Sequence, residues 1–210
     1  DLGIKTFATL SDGVIIENPK RLRKSLKKLK RLQRTVSRQS KGGFNRAKSV
    51  KKLAIVHDKV ANQRKDFLHK TTTFLVRNYD TICLETLTAS NMMKNHRLAQ
   101  ALSDIAIGKF NELMEYKANW YGKNILRIGR FEPSSRLCTC GVVNKELKLS
   151  DRVWTCKICN TKHDRDVLAS NNIKRMAFHS LNKNTAGTAE IYAQDIDSTI
   201  VAQSGKPTIL

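Results

Sequence analysis

Features that define several common protein classes are missing from this 210-residue sequence. No run approaches the roughly twenty apolar residues that a membrane-spanning helix needs, and no charged and then apolar leader precedes a small-residue cleavage site. A glycine-rich loop that would cradle phosphates is also missing. These absences argue against a membrane protein, a secreted protein and a P-loop enzyme, and we expect a cytoplasmic protein.

Acidic side chains are missing from residues 20–52, which hold fifteen Lys or Arg. This segment carries most of the formal net charge of +21, an excess that destabilises a compact state unless a polyanion neutralises it. One interpretation is a solvated pair of helices packed on a core. The complete lack of acids favours the other interpretation, contact with phosphates, and nucleic acid is therefore the expected partner.

The first eighty residues predict a β-hairpin followed by two helices. The runs TFATL and VIIE are β-prone and flank the turn residues 11–13. Apolar residues at helical spacing then predict helices over about 20–39 and 45–77, with Gly42 and Gly43 between them.

The remaining sequence alternates between strand and helix patterns. YDTICLETL and NILRIG predict buried strands, and residues 96–122 between them predict one amphipathic helix that Gly108 weakens in its middle. A last helix follows the cysteine-rich segment. The order of elements predicts a mixed α/β sheet covered by helices.

Three carboxylates fall at element boundaries: Asp1, Glu85 and Asp166. Two-metal phosphodiester chemistry needs such a set, because Mg²⁺ is a hard cation that prefers oxygen ligands. With eighteen Asp and Glu in the chain, the alternative is that these are surface or capping acids. Asp164 and Asp166 both fit the N-terminal cap of the last helix.

Four cysteines have nearly the spacing of a zinc ribbon. Fifteen residues separate Cys140 from Cys156, and Cys156-x-x-Cys159 is a regular knuckle, but Cys138-x-Cys140 is one residue short. We expect zinc to bind with lowered affinity. His163 is a conceivable substitute ligand, and the alternative is a plain polar residue beside the acids.

The remaining thiol and histidines do not suggest nucleophilic catalysis. Cys83 lies in an apolar run and is interpreted as a core thiol. None of the histidines outside the cysteine segment forms a convincing base for it: His57, His69, His96 and His179.

Together these motifs resemble the C-terminal half of the OrfB/TnpB proteins encoded by bacterial insertion sequences, relatives of the type V CRISPR effector nucleases. The resemblance covers residues 1 to about 182. It rests on the segments DLGIKTFATLSDG, ANQRKDFLHK, LVRNYDTICLETL, YKANWYGK, PSSRLC, WTC, CNTKHDRD and NNI, in this order. It implies an RNase H-like RuvC nuclease fold with a zinc ribbon inserted before the last helix, in a bacterial protein associated with nucleic acid.

The resemblance also implies roles for individual residues. Asp1, Glu85 and Asp166 match the acids of the three nuclease motifs and would bind two catalytic Mg²⁺, with Asp164 the less favoured third acid. The structural zinc would be held by the four cysteines, Cys138, Cys140, Cys156 and Cys159. DNA and a guide RNA are the implied partners, and such proteins are often labelled transposases.

The implied organisation has four parts. Residues 1–133 form the nuclease core, which includes a basic helical hairpin at about 19–78. Residues 134–163 form the ribbon, 164–182 the last helix and 183–210 a weakly ordered polar tail.

Three departures from the family pattern affect the expected activity. The chain starts at Asp1 without an initiator Met, so we interpret it as a fragment that lacks the first strand, with Asp1 at a frayed end. Leu168 stands where the family commonly has Asn, and the first knuckle is shortened. We expect an RNA-guided DNA endonuclease fragment that binds nucleic acid but cuts poorly or not at all; the alternative is a non-catalytic nucleic-acid-binding remnant.

Overall fold

A computed structural model describes residues 1–87, 93–148 and 150–185. The elements, in chain order, are β1 (Thr6–Thr9), β2 (Ile15–Glu17), α1 (Arg21–Arg38), α2 (Phe44–Asn78), β3 (Thr81–Glu85), α3 (His96–Ile105), α4 (Ile107–Trp120), β4 (Asn124–Ile128), β5 (Val153–Thr155), β6 (Lys162–Asp164) and α5 (Arg165–Thr185). Most of the predicted polar tail lies outside the described residues. No helix in the described ranges is long and apolar enough to cross a membrane.

The predicted hairpin is confirmed. Strands β1 and β2 pair antiparallel around a turn in which Gly13 has φ 88°, a left-handed conformation that favours glycine. The other side of β1 pairs with the chain start, where the Asp1 carbonyl accepts from the Thr9 N–H at 2.9 Å and the Asp1 ammonium donates to the Thr9 carbonyl at 3.0 Å. The expectation that Asp1 is frayed is therefore wrong, because its backbone is paired in both directions.

Helices α1 and α2 form the predicted helical pair, here called the basic hairpin. Their apolar stripes bury Leu29 and Val36 of α1 and Val56 and Val60 of α2, while the connecting residues 39–43 include Gly42 at φ 86°. The C-terminal half of α2 continues into the main core. Phe7, Phe110, Met114 and Val76 are among the most deeply buried side chains there.

The helix predicted over residues 96–122 is two helices, and the break falls at Ala106 (φ 53°) rather than at Gly108. Ile105 and Ile107 are both buried in the main core. In one continuous helix, residues two apart point about 200° away from each other. The break at Ala106 therefore lets both side chains enter the same core.

The strands form three separate two-stranded sheets within the described residues, whereas we expected one mixed sheet. One edge of β1 is occupied by β2 and the other by residues 1–3, so neither edge is left for β3. Strands β3 and β4 pair in parallel, with Glu85 opposite Ile128 at their carboxyl ends. The combination of helices and strands is as predicted.

Helix α5 connects these units. Ile173 and Ala177 pack on Ile128 of β4, and the Ser170 hydroxyl donates to the Leu10 carbonyl, just after β1, at 3.2 Å. Helix α5 therefore packs against β1, β3 and β4 with its middle turns.

Candidate functional site

The four cysteine sulfurs all lie within 4.8 Å of one another. The Sγ atoms of Cys138 and Cys159 are 3.5 Å apart, and those of Cys140 and Cys156 are 3.8 Å apart. Four sulfurs around one zinc ion at about 2.3 Å per bond would be separated by roughly 3.8 Å. The donor set and its spacing therefore fit a tetrahedral zinc ion, so the one-residue spacer between Cys138 and Cys140 does not prevent convergence.

Two left-handed residues shape the knuckles. Gly141 (φ 89°) follows Cys140 and lets the Cys138 N–H donate to the Val142 carbonyl at 2.8 Å. Asn160 (φ 56°) follows Cys159, and its N–H donates to the Cys156 carbonyl at 2.9 Å. These turns hold each cysteine pair in a fixed conformation.

The local hydrogen bonds favour thiolates in the second knuckle. The Thr161 hydroxyl, 3.2 Å from the Cys159 sulfur, and the Thr161 N–H lower the pKa of Cys159 to about 6. The N–H groups of Cys159 and Ile158 lower the pKa of Cys156. Thiolates are the form that binds a metal ion, so this knuckle is preorganised for it.

The imidazole of His163 lies inside the cysteine module. Its Nε2 is 3.1 Å from the Cys138 sulfur, its ring centre is 4.8 Å from that of Trp154, and it is buried. Among the described residues, the four cysteines form the group whose possible ligand atoms all lie within 4.8 Å of one another, and His163 is not part of that group. This histidine is therefore a hydrogen-bonding neighbour of Cys138 and more than a polar residue beside the acids.

The carboxylate of Glu85 lies at the carboxyl end of β3, as predicted. It accepts a hydrogen bond at 2.7 Å from the hydroxyl of Ser134, a buried residue in the segment that leads into the cysteine module. The hydroxyl fixes one carboxylate oxygen, while Glu85 itself is half-buried.

The two acids of the DRD segment have different roles. Asp164 caps α5, because its Oδ1 accepts from the N–H groups of Asp166 and Val167 at 3.0 and 3.1 Å. Asp166 makes no such cap; its carboxylate pairs with the Arg152 guanidinium at 3.2 and 3.3 Å. Only Asp166 therefore has a carboxylate directed away from the helix end.

Glu85 and Asp166 both lie close enough to the Asp1 α-amino group to affect its pKa. Burial lowers the pKa of the Asp1 α-amino group, and the nearby carboxylates of Glu85 and Asp166 oppose that shift. Among the described residues, only the cysteines form a group of three or more possible ligands within 4.8 Å of one another. The acids are therefore more widely spaced than the cysteines, and their role in metal binding stays a prediction.

Leu168 faces the cysteine module. It is buried with Cys138, Leu147, Trp154 and Cys156 in one apolar cluster. At this position the leucine joins α5 to the module by apolar contact, so the module and the helix that carries Asp166 pack as neighbours.

Several contact residues were missed in the sequence. Ser134, Arg152 and Asn172 contact the predicted acids or their supporting loop, yet they have no distinctive spacing. The acids could be recognised because they are carboxylates at the ends of predicted strands and helices. The local sequence pattern gave no comparable indication of the residues that contact them. Cys83, by contrast, packs with Ile128 and Ile173 as expected for a core thiol, and burial raises its pKa.

The basic hairpin presents its charge to solvent. Of the fifteen cations in residues 20–52, twelve are exposed. The N-terminus of α1 is itself crowded with cations and has no side-chain cap of its own. Instead, the Asp104 carboxylate of α3 accepts from the Leu22 N–H at 3.0 Å, which anchors the hairpin to the core.

Comparison with known proteins agrees with these observations. Residues 1–96 match the OrfB model of IS605-type elements, described as "Probable transposase", and residues 108–173 match the "Cas12f1-like, TNB domain" model. A Streptomyces pristinaespiralis protein named as a candidate RNA-guided DNA endonuclease is 47% identical over 174 residues, or 82% of this chain and 43% of that protein.

Two solved structures have a similar fold. One, described as "Cryo-EM structure of CRISPR-Cas12f Ternary Complex", matches with a TM-score of 0.57 and 20% identity over 82% of this chain and 37% of the other. The second, "Cryo-EM structure of the Cas12f1-sgRNA-target DNA complex", has a TM-score of 0.53 and 18% identity over 82% of this chain and 47% of the other. This chain spans less than half the length of all three proteins.

The fold and the cysteine site define a mixed helix-and-strand protein of Cas12f-like architecture with a four-cysteine module. Within that class, the chain belongs to the OrfB/TnpB family of transposon-encoded proteins. The resemblance noted in the sequence is thereby confirmed.

Proposed function

We propose that this chain is the RuvC-like nuclease and zinc-ribbon part of a transposon-encoded, RNA-guided DNA endonuclease. The observation that carries the proposal is that Glu85, at the end of β3, and Asp166, in the first turn of α5, are both close enough to the Asp1 α-amino group to affect its pKa. The parallel β3–β4 pair and the β1–β2 hairpin supply the strands of the proposed RNase H-like core.

The three carboxylates would hold two Mg²⁺ ions, because their oxygen donors match a hard cation. When bound, these ions would supply an activated water and stabilise charge on the phosphate. The chain's own groups would orient the carboxylates: the Ser134 hydroxyl holds Glu85, and Arg152 holds Asp166. Arg152 would also neutralise charge near the bound phosphate.

The cysteine module would hold a structural zinc ion through Cys138, Cys140, Cys156 and Cys159. Its contribution is to folding, since the described residues of this small module form two short strands and one apolar cluster, which provide little core. The packed Leu168 would transmit that stability to the first turns of α5.

DNA and a guide RNA are the proposed partners. One of the similar structures is described as Cas12f1 with sgRNA and target DNA. The exposed cations of the basic hairpin would contact backbone phosphates, while base pairing with the guide would read the sequence. Binding by this surface would fall steeply with salt.

A direct test uses Mn²⁺, a spectroscopic substitute for Mg²⁺, measured by electron paramagnetic resonance on zinc-loaded chain. Glu85→Gln and Asp166→Asn should each weaken Mn²⁺ binding by about tenfold or more. Asp164→Asn is the matched control, because asparagine caps helices as well as aspartate, and it should bind like the wild type. Equal Mn²⁺ binding by all four proteins would overturn the proposed catalytic site.

A non-catalytic nucleic-acid-binding remnant is the second candidate. It is favoured by the ion pair of Asp166 with Arg152, because a carboxylate engaged by a guanidinium can serve a structural role alone. A chain that binds DNA in a salt-dependent way but does not bind Mn²⁺ through Glu85 and Asp166 would support this alternative.

A further inference from the structure

We propose that Ser134 is a positioning residue for Glu85 and that Asn172 fixes Ser134 in place, so that one hydrogen-bonded path joins the second acid to the helix that carries the third. This inference rests on the proposed function. Ser134 and Asn172 lie in the PSSRLC and NNI segments, and the sequence alone assigned neither residue a role.

The first link is the hydrogen bond between Ser134 and Glu85. The Ser134 Oγ donates to the Glu85 Oε1 at 2.7 Å, and Ser134 is only 7% exposed. A carboxylate with one oxygen held by a buried hydroxyl has fewer orientations available than a free one. The second carboxylate oxygen of Glu85 therefore keeps one orientation, as a metal ligand requires.

The second link is the contact between Asn172 and the loop that contains Ser134. The Asn172 Nδ2 donates to the carbonyls of Ser134 and Leu137, each at 2.7 Å, and Asn172 is 2% exposed. One buried amide therefore holds both ends of residues 134–137. The position of the Ser134 hydroxyl is set by α5, as is the position of Asp166.

The path also includes the start of the cysteine module. Leu137 precedes Cys138, whose side chain is completely buried among the module's apolar residues. The Leu137 N–H donates to the Pro133 carbonyl at 3.0 Å, which closes the turn that carries Ser134. Folding of the first knuckle is thus linked by adjacent contacts to the orientation of Glu85.

The experiment measures Mn²⁺ affinity by electron paramagnetic resonance in zinc-loaded chain. Ser134→Ala should weaken Mn²⁺ binding by about tenfold, the lower end of the loss seen when supporting hydrogen bonds of metal ligands are removed. Ser134→Thr keeps the hydroxyl and should restore most of the affinity. Ser150→Ala is the matched control, because this exposed serine also donates to a carboxylate, that of Asp151, within the same module.

A structural loss is separated from a positioning effect by the pair Ser134→Thr and Ser134→Val. The two side chains have nearly the same shape and differ in the hydroxyl, so both should alter packing alike and only threonine should keep the affinity. Zinc content and the unfolding midpoint are recorded for every variant. Equal Mn²⁺ affinity in Thr and Val variants would overturn the role of Ser134.

The two proposals fail differently in this experiment. Weaker binding by Glu85→Gln together with wild-type binding by Ser134→Ala and Ser134→Val overturns the positioning role alone. Wild-type binding by Glu85→Gln overturns the metal site and, with it, the role of Ser134.

Discussion

Replacement of Asp104 should loosen the basic hairpin from the core. Asp104 lies at the end of α3, and its side chain is 7% exposed. Its two oxygens accept from the Leu22 N–H at 3.0 and 3.1 Å, and one of them accepts from the Arg23 N–H at 3.3 Å. The carboxylate thus caps α1 from another helix, at an end that has no acidic residue in its own first turn.

The expected loss follows from these contacts. The part-buried Leu22 N–H would lose a charged acceptor at a cost of about 1.5 kcal/mol, whereas the exposed Arg23 N–H can bond to water at a cost of roughly 0.5 kcal/mol. The ion pair with Arg64, at 3.9 Å, adds at most about 0.5 kcal/mol. Asp104→Ala should therefore lower the free energy of unfolding by about 2 kcal/mol, in the range of a lost N-cap.

Urea unfolding followed by circular dichroism at 222 nm measures this loss. With a slope of about 2 kcal/mol per molar urea, the midpoint should fall by roughly 1 M. Asp104→Asn keeps an acceptor oxygen and should lose about half as much. Asp66→Ala is the control, because its ion pair with Lys70 is exposed and should contribute less than about 0.5 kcal/mol.

A midpoint for Asp104→Ala equal to that of Asp66→Ala would refute the reasoning. It would mean that water satisfies the end of α1 as well as the carboxylate does. The basic hairpin would then be held by its apolar stripe alone.

Three further predictions concern the cysteine module and the alkaline range of stability. Wild-type chain should bind one zinc ion. A variant with a residue inserted after Thr139 should bind zinc more tightly when a chelating dye competes for the metal. Equal zinc affinity in the two proteins would show that the shortened knuckle is fully tolerated. Leu168→Ala should lower the free energy of unfolding by about 2–4 kcal/mol in urea, since it leaves a cavity beside Trp154 and Cys138, and a loss under about 1 kcal/mol would contradict the packing seen for α5. Burial and the hydrogen bond to Asp12 raise the pKa of Tyr79 to about 12, so the folded chain favours the neutral phenol. The resulting contribution to the free energy of unfolding is complete below pH 10 and is lost as the pH rises towards 12. Tyr79→Phe should therefore unfold with a flatter pH dependence between pH 10 and 12, and an unchanged profile would exclude this contribution.

Local patterns predicted those parts of the fold that local interactions determine. Apolar spacing indicated α1 and α2 because the buried stripe, for example Leu29 and Val36, repeats along one helix face. Turn residues such as Gly13 indicated the hairpin because they adopt a backbone conformation that few other residues tolerate. The paired cysteines indicated a metal module because ligand spacing is set by the metal itself.

The missed features depend on contacts between distant segments. Asp104 caps a helix that begins more than eighty residues earlier. Ser134 follows β4 in the sequence and contacts Glu85, which lies 49 residues before it. The break at Ala106 occurs at an ordinary helix-forming residue, because the core and not the local propensity decides where Ile105 and Ile107 point. Likewise, pairing of β1 on both edges arises from the path of residues 1–3, which periodicity alone does not report.

The most direct test of the proposed nuclease site is the position of bound metal. Crystals of the zinc-loaded chain soaked in Mn²⁺ should show anomalous density bounded by the carboxylates of Asp1, Glu85 and Asp166. A second, zinc-specific signal should lie among the four cysteines. Anomalous density at the cysteines with none between the three carboxylates, at Mn²⁺ concentrations that saturate binding in solution, would contradict the proposed catalytic site.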